Sequence, residues 1–243
     1  MTVCGDNCAT LECYTTPMKF AHAAILLLYI VGISAQSQHS PLDYPLALKT
    51  RWTYHLHQEN GPGVHFSEDL AALAKGNIVD TSVVSDAAGV ETIAGHSYTR
   101  VESRINGKPW LFEWERVSPE GLLVGKSREQ AGQEIIMQPE QKRISAALRP
   151  GNVWYWQAKE APVRFRYTVV GPAEVDVPAG HYQGVHLTTT GTIQAPFGKV
   201  ETRMETWFVP GVGIAKQETD SSVQGHRLSH VLLTLEKFEK SRQ

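Results

Sequence analysis

The sequence has almost no cysteine, and the cysteine it has lies within its first residues. The three cysteines are Cys4, Cys8 and Cys13. Their spacing superficially suggests a metal or cluster motif, but no fourth ligand lies nearby, so we expect no metal site there. Residues 38–243 contain no cysteine and cannot form disulfides. This stretch must therefore be stabilised by its own hydrophobic core, for which its length is ample.

The chain also lacks a surplus of either charge. It carries 23 Lys and Arg against 25 Asp and Glu, which gives a net charge of −2, and it has no basic run. A protein that binds nucleic acid needs a basic patch or stripe, so this balance excludes that class. No Gly-rich phosphate-binding loop of either common type is present, and we expect no cofactor. With 42% hydrophobic residues and six Trp, the composition is that of a folded globular protein.

No apolar run is long enough to span a bilayer. The run from Phe20 to Ile33 has 14 residues, whereas a transmembrane helix needs about 20. Lys19 precedes this run and small residues follow it, which is the pattern of a secretory signal peptide cleaved near Ala35 to Ser37. An N-terminal anchor that stays in the membrane is the alternative. We expect translation to begin at Met18 and the mature protein to be periplasmic or extracellular.

An internal repeat is the most informative feature that the sequence does contain. Three pairs of segments recur in the same order at offsets of about 100, 85 and 90 residues. The pairs are Trp52–Tyr54 with Trp154–Trp156, Ala94–His96 with Ala179–His181, and Trp114–Lys126 with Trp207–Lys216. A unit of roughly 90 residues is longer than a solenoid or propeller repeat. After a leader over residues 1–37, we therefore predict a single β domain over 38–243, made of two meander units at about 41–138 and 139–239.

Most of residues 38–243 show the alternation of apolar and polar residues that is typical of half-buried strands. About ten strands are predicted, with a tight hairpin turn at Asn106-Gly107. One helix is predicted over Glu68 to Lys75, capped by Ser67 and ended by Gly76. So many strands should not stay flat. The predicted fold is mainly β: a large curled antiparallel sheet, in the form of a half-barrel or a clam, with one short helix.

Histidines offer the first candidate chemical sites. His55 and His57 lie two residues apart on one strand face and could present two metal ligands. A metal site needs three or four ligands, so solvated side chains are the favoured interpretation. His96 and His181 recur in matching turns, and turn geometry explains this better than a catalytic pair does. We predict no metal site and no catalytic residue.

A pair of acidic residues offers a second candidate site. Glu113 and Glu115 could supply the two carboxylates that a glycoside hydrolase uses in catalysis. They alternate with Trp110, Phe112 and Trp114, which would place both acids on the outer, solvated face of their strand. A hydrolase is therefore the weakest of the function classes considered.

A set of aromatic residues lies on the apolar face of the predicted strands. The set is Trp52, Tyr54, Trp110, Phe112, Trp114, Trp154, Trp156, Phe165 and Tyr167. These residues are first of all candidates for the core. A sheet of this size around one short helix need not fill its own interior, however, and an unfilled apolar concavity binds apolar ligands. The same nine residues are therefore the candidate ligand-binding residues.

Three strings carry a resemblance to a known family. Tyr44–Leu46 with Trp52–Tyr54, then Val177–Gly180, then Glu205–Gly213 resemble an uncharacterised family of exported bacterial β-rich proteins. That family is similar in fold to the periplasmic carriers of lipoproteins, which have an open β half-barrel closed by helices. The resemblance covers most of residues 41–239 and implies a lipid-binding concavity without a catalytic residue. The chain departs from the carriers in having one clear helix.

Two function classes follow. In the first, an exported non-enzymatic protein binds an apolar ligand, such as a lipid or an acylated molecule, in the concave sheet. In the second, a cell-envelope module has a filled core and contacts a partner protein through its outer face or its sheet edges.

Overall fold

The computed structural model describes residues 42–241, except residues 131, 160 and 196–197. The predicted signal segment, the predicted start at Met18 and the three cysteines lie outside the described residues. Within the described part of the chain, no helix has the length and apolar character needed to cross a membrane.

Twelve antiparallel strands form a single sheet in the described residues, where about ten were predicted. The mainly β class is confirmed. The strands are β1 (Arg51–Asn60), β2 (Ile78–Ile93), β3 (His96–Ile105), β4 (Lys108–Ser118), β5 (Gly121–Glu129), β6 (Ile135–Ser145), β7 (Val153–Gln157), β8 (Val163–Val177), β9 (Gly180–Ala195), β10 (Gly198–Val209), β11 (Gly213–Val223) and β12 (His226–Glu239).

The sheet curls into a nearly closed barrel, and its strand order shows where the barrel stays open. Every strand pairs with its neighbour in sequence except at one step, and β1 also pairs with β12. The exception is the step from β6 to β7, which are consecutive in sequence yet form the two edges of the sheet. The barrel therefore has one seam, between β6 and β7. It is more closed than the predicted half-barrel because the first and last strands pair along ten residues of β1.

Two tryptophans of β7 bridge the seam. The indole Nε1 of Trp154 donates a hydrogen bond to the carbonyl oxygen of Lys142 at 2.8 Å, and that of Trp156 donates to the carbonyl oxygen of Pro139 at 2.7 Å. Beyond β7, the backbone N–H of Lys159 donates to the carbonyl oxygen of Gln138 at 2.8 Å. The carbonyl groups of β6 have no strand ladder on this side, and indole N–H groups supply part of the hydrogen bonding in its place.

The two halves of the sheet have six strands each, β1–β6 and β7–β12, in the same order. Residues 146–152 separate them, so the predicted boundary at 138 and 139 falls inside β6. The duplication itself stays a prediction.

The turns show where the halves correspond and where they differ. Asn106 and Gly107 have φ of 51° and 77°, the left-handed pair that a tight hairpin turn requires, so that prediction is confirmed. In the β2–β3 hairpin, Ala94 and Gly95 have the same geometry, with φ of 49° and 82°. In the β8–β9 hairpin, Gly180 already pairs with Val177 as a strand residue. The repeated Ala-Gly-His motif therefore lies in corresponding hairpins, but one residue out of register.

The helix α1 is a single turn, Glu68–Ala71, and is shorter than predicted. The N–H groups of Leu73 and Ala74 bond to carbonyls three residues back, at 3.0 and 3.2 Å, so the chain tightens into a 3₁₀-type turn and leaves the helix. Ser67 makes no side-chain capping hydrogen bond. Leu70 packs with Leu56 and the start of β2, which places this segment over the end of the barrel where β1 finishes.

The segment that precedes β1 covers the opposite end of the barrel. Leu42 is buried against Leu122, Ile144, Leu187 and Phe208, which come from four different strands. Tyr44 and Leu46 pack against the same cluster. The core is therefore divided into clusters near the two ends of the barrel.

Replacing Trp156 with Phe tests the bridge across the seam. Trp156 is 7% exposed, and the change removes both its hydrogen bond to Pro139 and part of its ring. We expect the free energy of unfolding to fall by about 2 kcal/mol, measured by urea denaturation. Tyr155 on the same strand is 67% exposed, so Tyr155→Phe is the control and should change stability by less than about 0.5 kcal/mol. Equal effects of the two changes would contradict the bridge.

Candidate ligand-binding cavity

A cavity of about 370 Å³ lies inside the barrel, between the segment that precedes β1 and the α1 segment. Its volume is within the range of about 300–1,000 Å³ that is usual for small-molecule sites. Aliphatic and aromatic side chains make up much of its wall, and hydroxyl, amide and charged groups interrupt it. The polar lining residues are Ser85, Ser103, Glu113, Glu115, Gln141, Arg143, Thr189, Thr206, Gln217 and Thr219.

Five of the nine predicted aromatic residues line this cavity. They are Trp52, Tyr54, Trp110, Phe165 and Tyr167. Trp52 and Tyr54 are held in place by hydrogen bonds from Nε1 to the carbonyl oxygen of Val212 at 2.6 Å and from the hydroxyl to that of Ile214 at 3.0 Å. A rigid aromatic wall of this kind suits an apolar ligand.

Trp154 and Trp156 lie behind this wall and are not among the lining residues. Trp154 stacks on Tyr167 with ring centroids 5.1 Å apart, and Trp156 stacks on Phe165 at 6.0 Å. Their role in the structure is to support the wall and to bridge the seam.

The prediction that Phe112 and Trp114 share the concave face is wrong. Pro109 pairs with Arg104 and Leu111 pairs with Ser103, so Trp110 is an extra residue in β4. Such a bulge reverses the alternation of side chains along the strand. Trp110 therefore faces the cavity, whereas Phe112 and Trp114 face outward.

Charged side chains cover both of these outward aromatic rings. The ammonium of Lys126 lies 3.7 Å from the ring centroid of Trp114, and the guanidinium of Arg128 lies 4.6 Å from that of Phe112. The Nε1 of Trp114 donates to a carboxylate oxygen of Glu91 at 2.7 Å. Trp114 is 2% exposed because of this cover, although it lies outside the barrel.

The same bulge turns Glu113 and Glu115 inward, so the prediction that both acids are solvated on the outer face is also wrong. Both line the cavity, and Glu115 is 3% exposed. The residue types were noted in the sequence, but their orientation depends on the bulge at Trp110.

A second bulge brings a guanidinium to the two acids. Leu122 pairs with Ile144 and Leu123 pairs with Lys142, so Arg143 is an extra residue in β6. Adjacent residues of a bulge can face the same side of a sheet, and Arg143 and Ile144 both line the cavity.

Arg143 binds both carboxylates. Its Nη2 and Nη1 donate to the two oxygens of Glu113 at 2.5 and 3.1 Å, and Nη1 also donates to Oε1 of Glu115 at 3.2 Å. Sequence reasoning did not select Arg143, and no local signal marks a residue that becomes inward-facing through a bulge. We call these three residues the interior charge cluster.

Burial and the neighbouring charges shift the pKa values of Glu115 and Arg143. Burial is the largest effect on Glu115, and together with the negative charge of Glu113 it raises the pKa to about 7, against the opposing effects of Arg143 and the Tyr44 hydroxyl. Burial acts to lower the pKa of Arg143, but the two carboxylates outweigh it and the pKa is raised. Arg143 therefore stays charged, whereas Glu115 changes its charge near neutral pH.

The arrangement suits binding better than hydrolysis. A glycosidase needs one carboxylate on each side of the scissile bond, whereas Glu113 and Glu115 come from one strand and share one guanidinium. An aromatic wall beside one charged cluster is instead the pattern of a site for an amphipathic molecule.

The histidines that the sequence offers as candidate sites lie outside the cavity. On the outer face, His57 bonds through Nδ1 to Asp80 at 2.7 Å, and the Nε2 of His55 lies 3.5 Å from the same carboxylate. His181 bonds to Asp176 in an exposed hairpin. His96 lies at the start of another hairpin strand and is likewise exposed.

One further group brings three side chains with metal-ligating atoms together in the described part of the chain. Ligand atoms of Glu218, Asp220 and His230 lie within 4.8 Å of one another. His230 already bonds to Asp220 at 3.1 Å, and Arg227 lies 3.6 Å from the same carboxylate. These contacts describe an outer-face ion-pair group.

The raised pKa of Glu115 predicts how stability depends on pH. The folded protein holds this proton up to about pH 7, whereas an ordinary glutamate loses it near 4.5, so the folded state binds more protons in between. The free energy of unfolding should therefore fall by about 2–3 kcal/mol through Glu115 as pH rises from 4.5 to 8. Glu115→Gln should remove this loss when urea denaturation is compared across that range.

Glu140→Gln is the matched control on the outer face. The hydrogen bond from Arg116 lowers the pKa of Glu140, so this carboxylate adds stability above its ordinary pKa and loses that contribution as pH falls. The two variants should therefore change the pH dependence in opposite directions. The same pH profile for wild type and Glu115→Gln would contradict a buried, protonated Glu115.

Comparisons with known proteins give likenesses of fold alone. The sequence matches no protein-family model and no curated protein. Three solved structures are similar, each at 12% identity. A candidate exported protein with a YmcC-like fold from Bacteroides fragilis has a TM-score of 0.47, over 82% of this chain and 99% of that one. A candidate lipoprotein from Parabacteroides distasonis has a TM-score of 0.44, over 82% and 98%. The hypothetical lipoprotein YmcC from Escherichia coli has a TM-score of 0.36, over 83% and 90%.

Proposed function

We propose that this chain is an exported protein that binds an apolar or amphipathic ligand, such as a lipid or an acylated molecule, inside its barrel without catalysing a reaction. The observation that carries the proposal is the cavity of about 370 Å³, whose wall includes Trp52, Tyr54, Phe165 and Tyr167. A protein of this size fills its core with side chains to near-crystalline density, so a space of this volume is unusual unless something occupies it.

Export is supported by the sequence of residues 18–37. A basic residue, a short apolar run and small residues follow one another there, as they do in secretory signal peptides. A periplasmic or extracellular protein that carries a lipid needs an enclosed apolar site, because free acyl chains are poorly soluble in water.

The position of the ligand follows from the chemistry of the walls. An acyl chain would lie along Trp52, Tyr54 and Phe165, where apolar contact replaces water. The polar end would lie toward Glu113 and Arg143, whose side chains keep 19% and 27% of their surface accessible inside the barrel. The ligand would therefore have one apolar and one polar end.

Protein–protein binding is the second candidate, and one observation favours it. Ile135 and Ile136 at the start of the edge strand β6 are 59% and 57% exposed. Exposed apolar residues on a sheet edge are a common contact surface for another protein.

A matched pair of threonines tests the cavity as the binding site. Thr189 lines the cavity, whereas its neighbour Thr190 is exposed on the outer face of β9. We expect Thr189→Phe to fill part of the cavity and to weaken binding of the neutral dye N-phenyl-1-naphthylamine about tenfold, measured by fluorescence titration. Thr190→Phe should bind the dye like wild type.

Thermal melting would confirm that both threonine variants are folded. If wild-type protein binds no dye, or if Thr189→Phe binds it as tightly as wild type does, the cavity is not an apolar binding site. Ile135→Asp would then be the first change to examine for loss of a protein partner.

A further inference from the structure

The interior charge cluster has more hydrogen-bond acceptors than donors. The two carboxylates of Glu113 and Glu115 offer four oxygens, and each oxygen can accept two hydrogen bonds. Arg143 supplies three hydrogen bonds to them. Within the lining of this cavity, Arg143 is the one basic side chain, so the acids are in excess by one charge when Glu115 is ionised.

One carboxylate oxygen of this cluster has no partner. The Oε2 of Glu115 is closed to solvent and has no partner in hydrogen-bonding geometry, although the Tyr44 hydroxyl lies near this carboxylate and lowers its pKa. A buried acceptor without a partner costs about 1–3 kcal/mol, so a ligand that donates a hydrogen bond here recovers free energy. The last torsion of a glutamate side chain rotates over a broad range, so the carboxylate can turn toward a donor in the cavity.

We propose that the interior charge cluster is a subsite for the head group of an amphipath that carries a primary amine. This inference rests on the proposed function, because it assigns the polar end of the ligand that the cavity would hold. The ammonium would donate to Glu115 and to the accessible face of Glu113, while the alkyl chain would follow the aromatic wall.

The surroundings of the cluster favour a cation over an anion. Glu113 on β4 and Arg143 on β6 face Glu115, with the hydroxyl groups of Tyr44 from the segment before β1 and Tyr54 from β1. Burial, the largest effect, raises the pKa of both tyrosines, so both stay neutral. An anionic head group would meet two carboxylates around a guanidinium that already binds them. An ammonium would instead balance the excess negative charge.

Three ten-carbon ligands test the head group on the unmodified protein. Decylamine, decanol and decanoate have the same chain and differ in the group at its end. We expect decylamine to displace N-phenyl-1-naphthylamine at pH 8 with an affinity about tenfold higher than decanol, and decanoate to bind most weakly. If none of the three displaces the dye, the proposed function fails. If decanoate binds as tightly as decylamine or more tightly, the amine subsite is wrong and the apolar site stands.

Glu115→Gln tests which residue makes the preference. This change keeps the shape of the side chain and removes its charge, so the roughly tenfold advantage of decylamine over decanol should be lost, because an ammonium loses more from the removal of a carboxylate than a neutral hydroxyl does. Glu140→Gln, which also alters an Arg-paired glutamate but on the outer face, should keep the full preference. An unchanged preference in Glu115→Gln would overturn the proposal. If that variant does not fold, Glu113→Gln gives the same test.

Discussion

The pairing of β1 with β12 is the constraint on which the rest of the structure depends. It joins the first and last strands of a twelve-stranded sheet, so the sheet closes on itself except at the seam between β6 and β7. A barrel of eight strands has an interior that side chains can just fill, and a barrel of twelve is wider. The chain fills the two ends with Leu42 and Leu70 and their neighbours, and the cavity remains between them.

Burying the interior charge cluster costs folding free energy, so a contribution to stability does not explain why the cluster is there. Moving an ion pair out of water costs several kcal/mol per charge, and well-packed apolar side chains of the same volume are often as stable or more stable. Glu115 lessens this cost because its pKa is raised to about 7, so the side chain stays protonated and neutral at lower pH. A buried carboxyl with a raised pKa beside a partly accessible guanidinium is typical of functional sites, which agrees with a role in binding the polar end of a ligand.

Much of the fold could be predicted from local patterns. The alternation in β1 and β8, the Asn106-Gly107 turn and the helix near Glu68 all depend on residues close together in the sequence. The length of that helix could not be predicted, because packing of Leu70 against Leu56 and the 3₁₀-type turn that follows end it early. The closure of the barrel could not be predicted either, because it depends on a pairing between residues that lie 169 to 188 positions apart, from Asn60 with Ser229 to Arg51 with Glu239.

The site was harder to predict than the fold because two bulges rearrange it. Strict alternation places Trp114 inside and Glu115 outside, and one extra residue at Trp110 exchanges them. The extra residue Arg143 in β6 then completes a cluster whose members come from different strands. A bulge depends on the register of two strands, which no single segment of sequence determines. For this reason alternation alone gives the inward orientation of the cavity-lining aromatic residues of β1 and β8, and it does not give that of the charged residues of the cavity.

Native mass spectrometry of the mature protein, purified from the cell envelope without detergent, can show whether the barrel interior holds a ligand. We expect a folded monomer with an added mass that corresponds to one bound amphipathic molecule. This mass should be lost from the Thr189→Phe variant, in which the cavity is partly filled. Protein that carries no added mass, or an added mass that persists in Thr189→Phe, would contradict the claim that the barrel interior is a ligand-binding site.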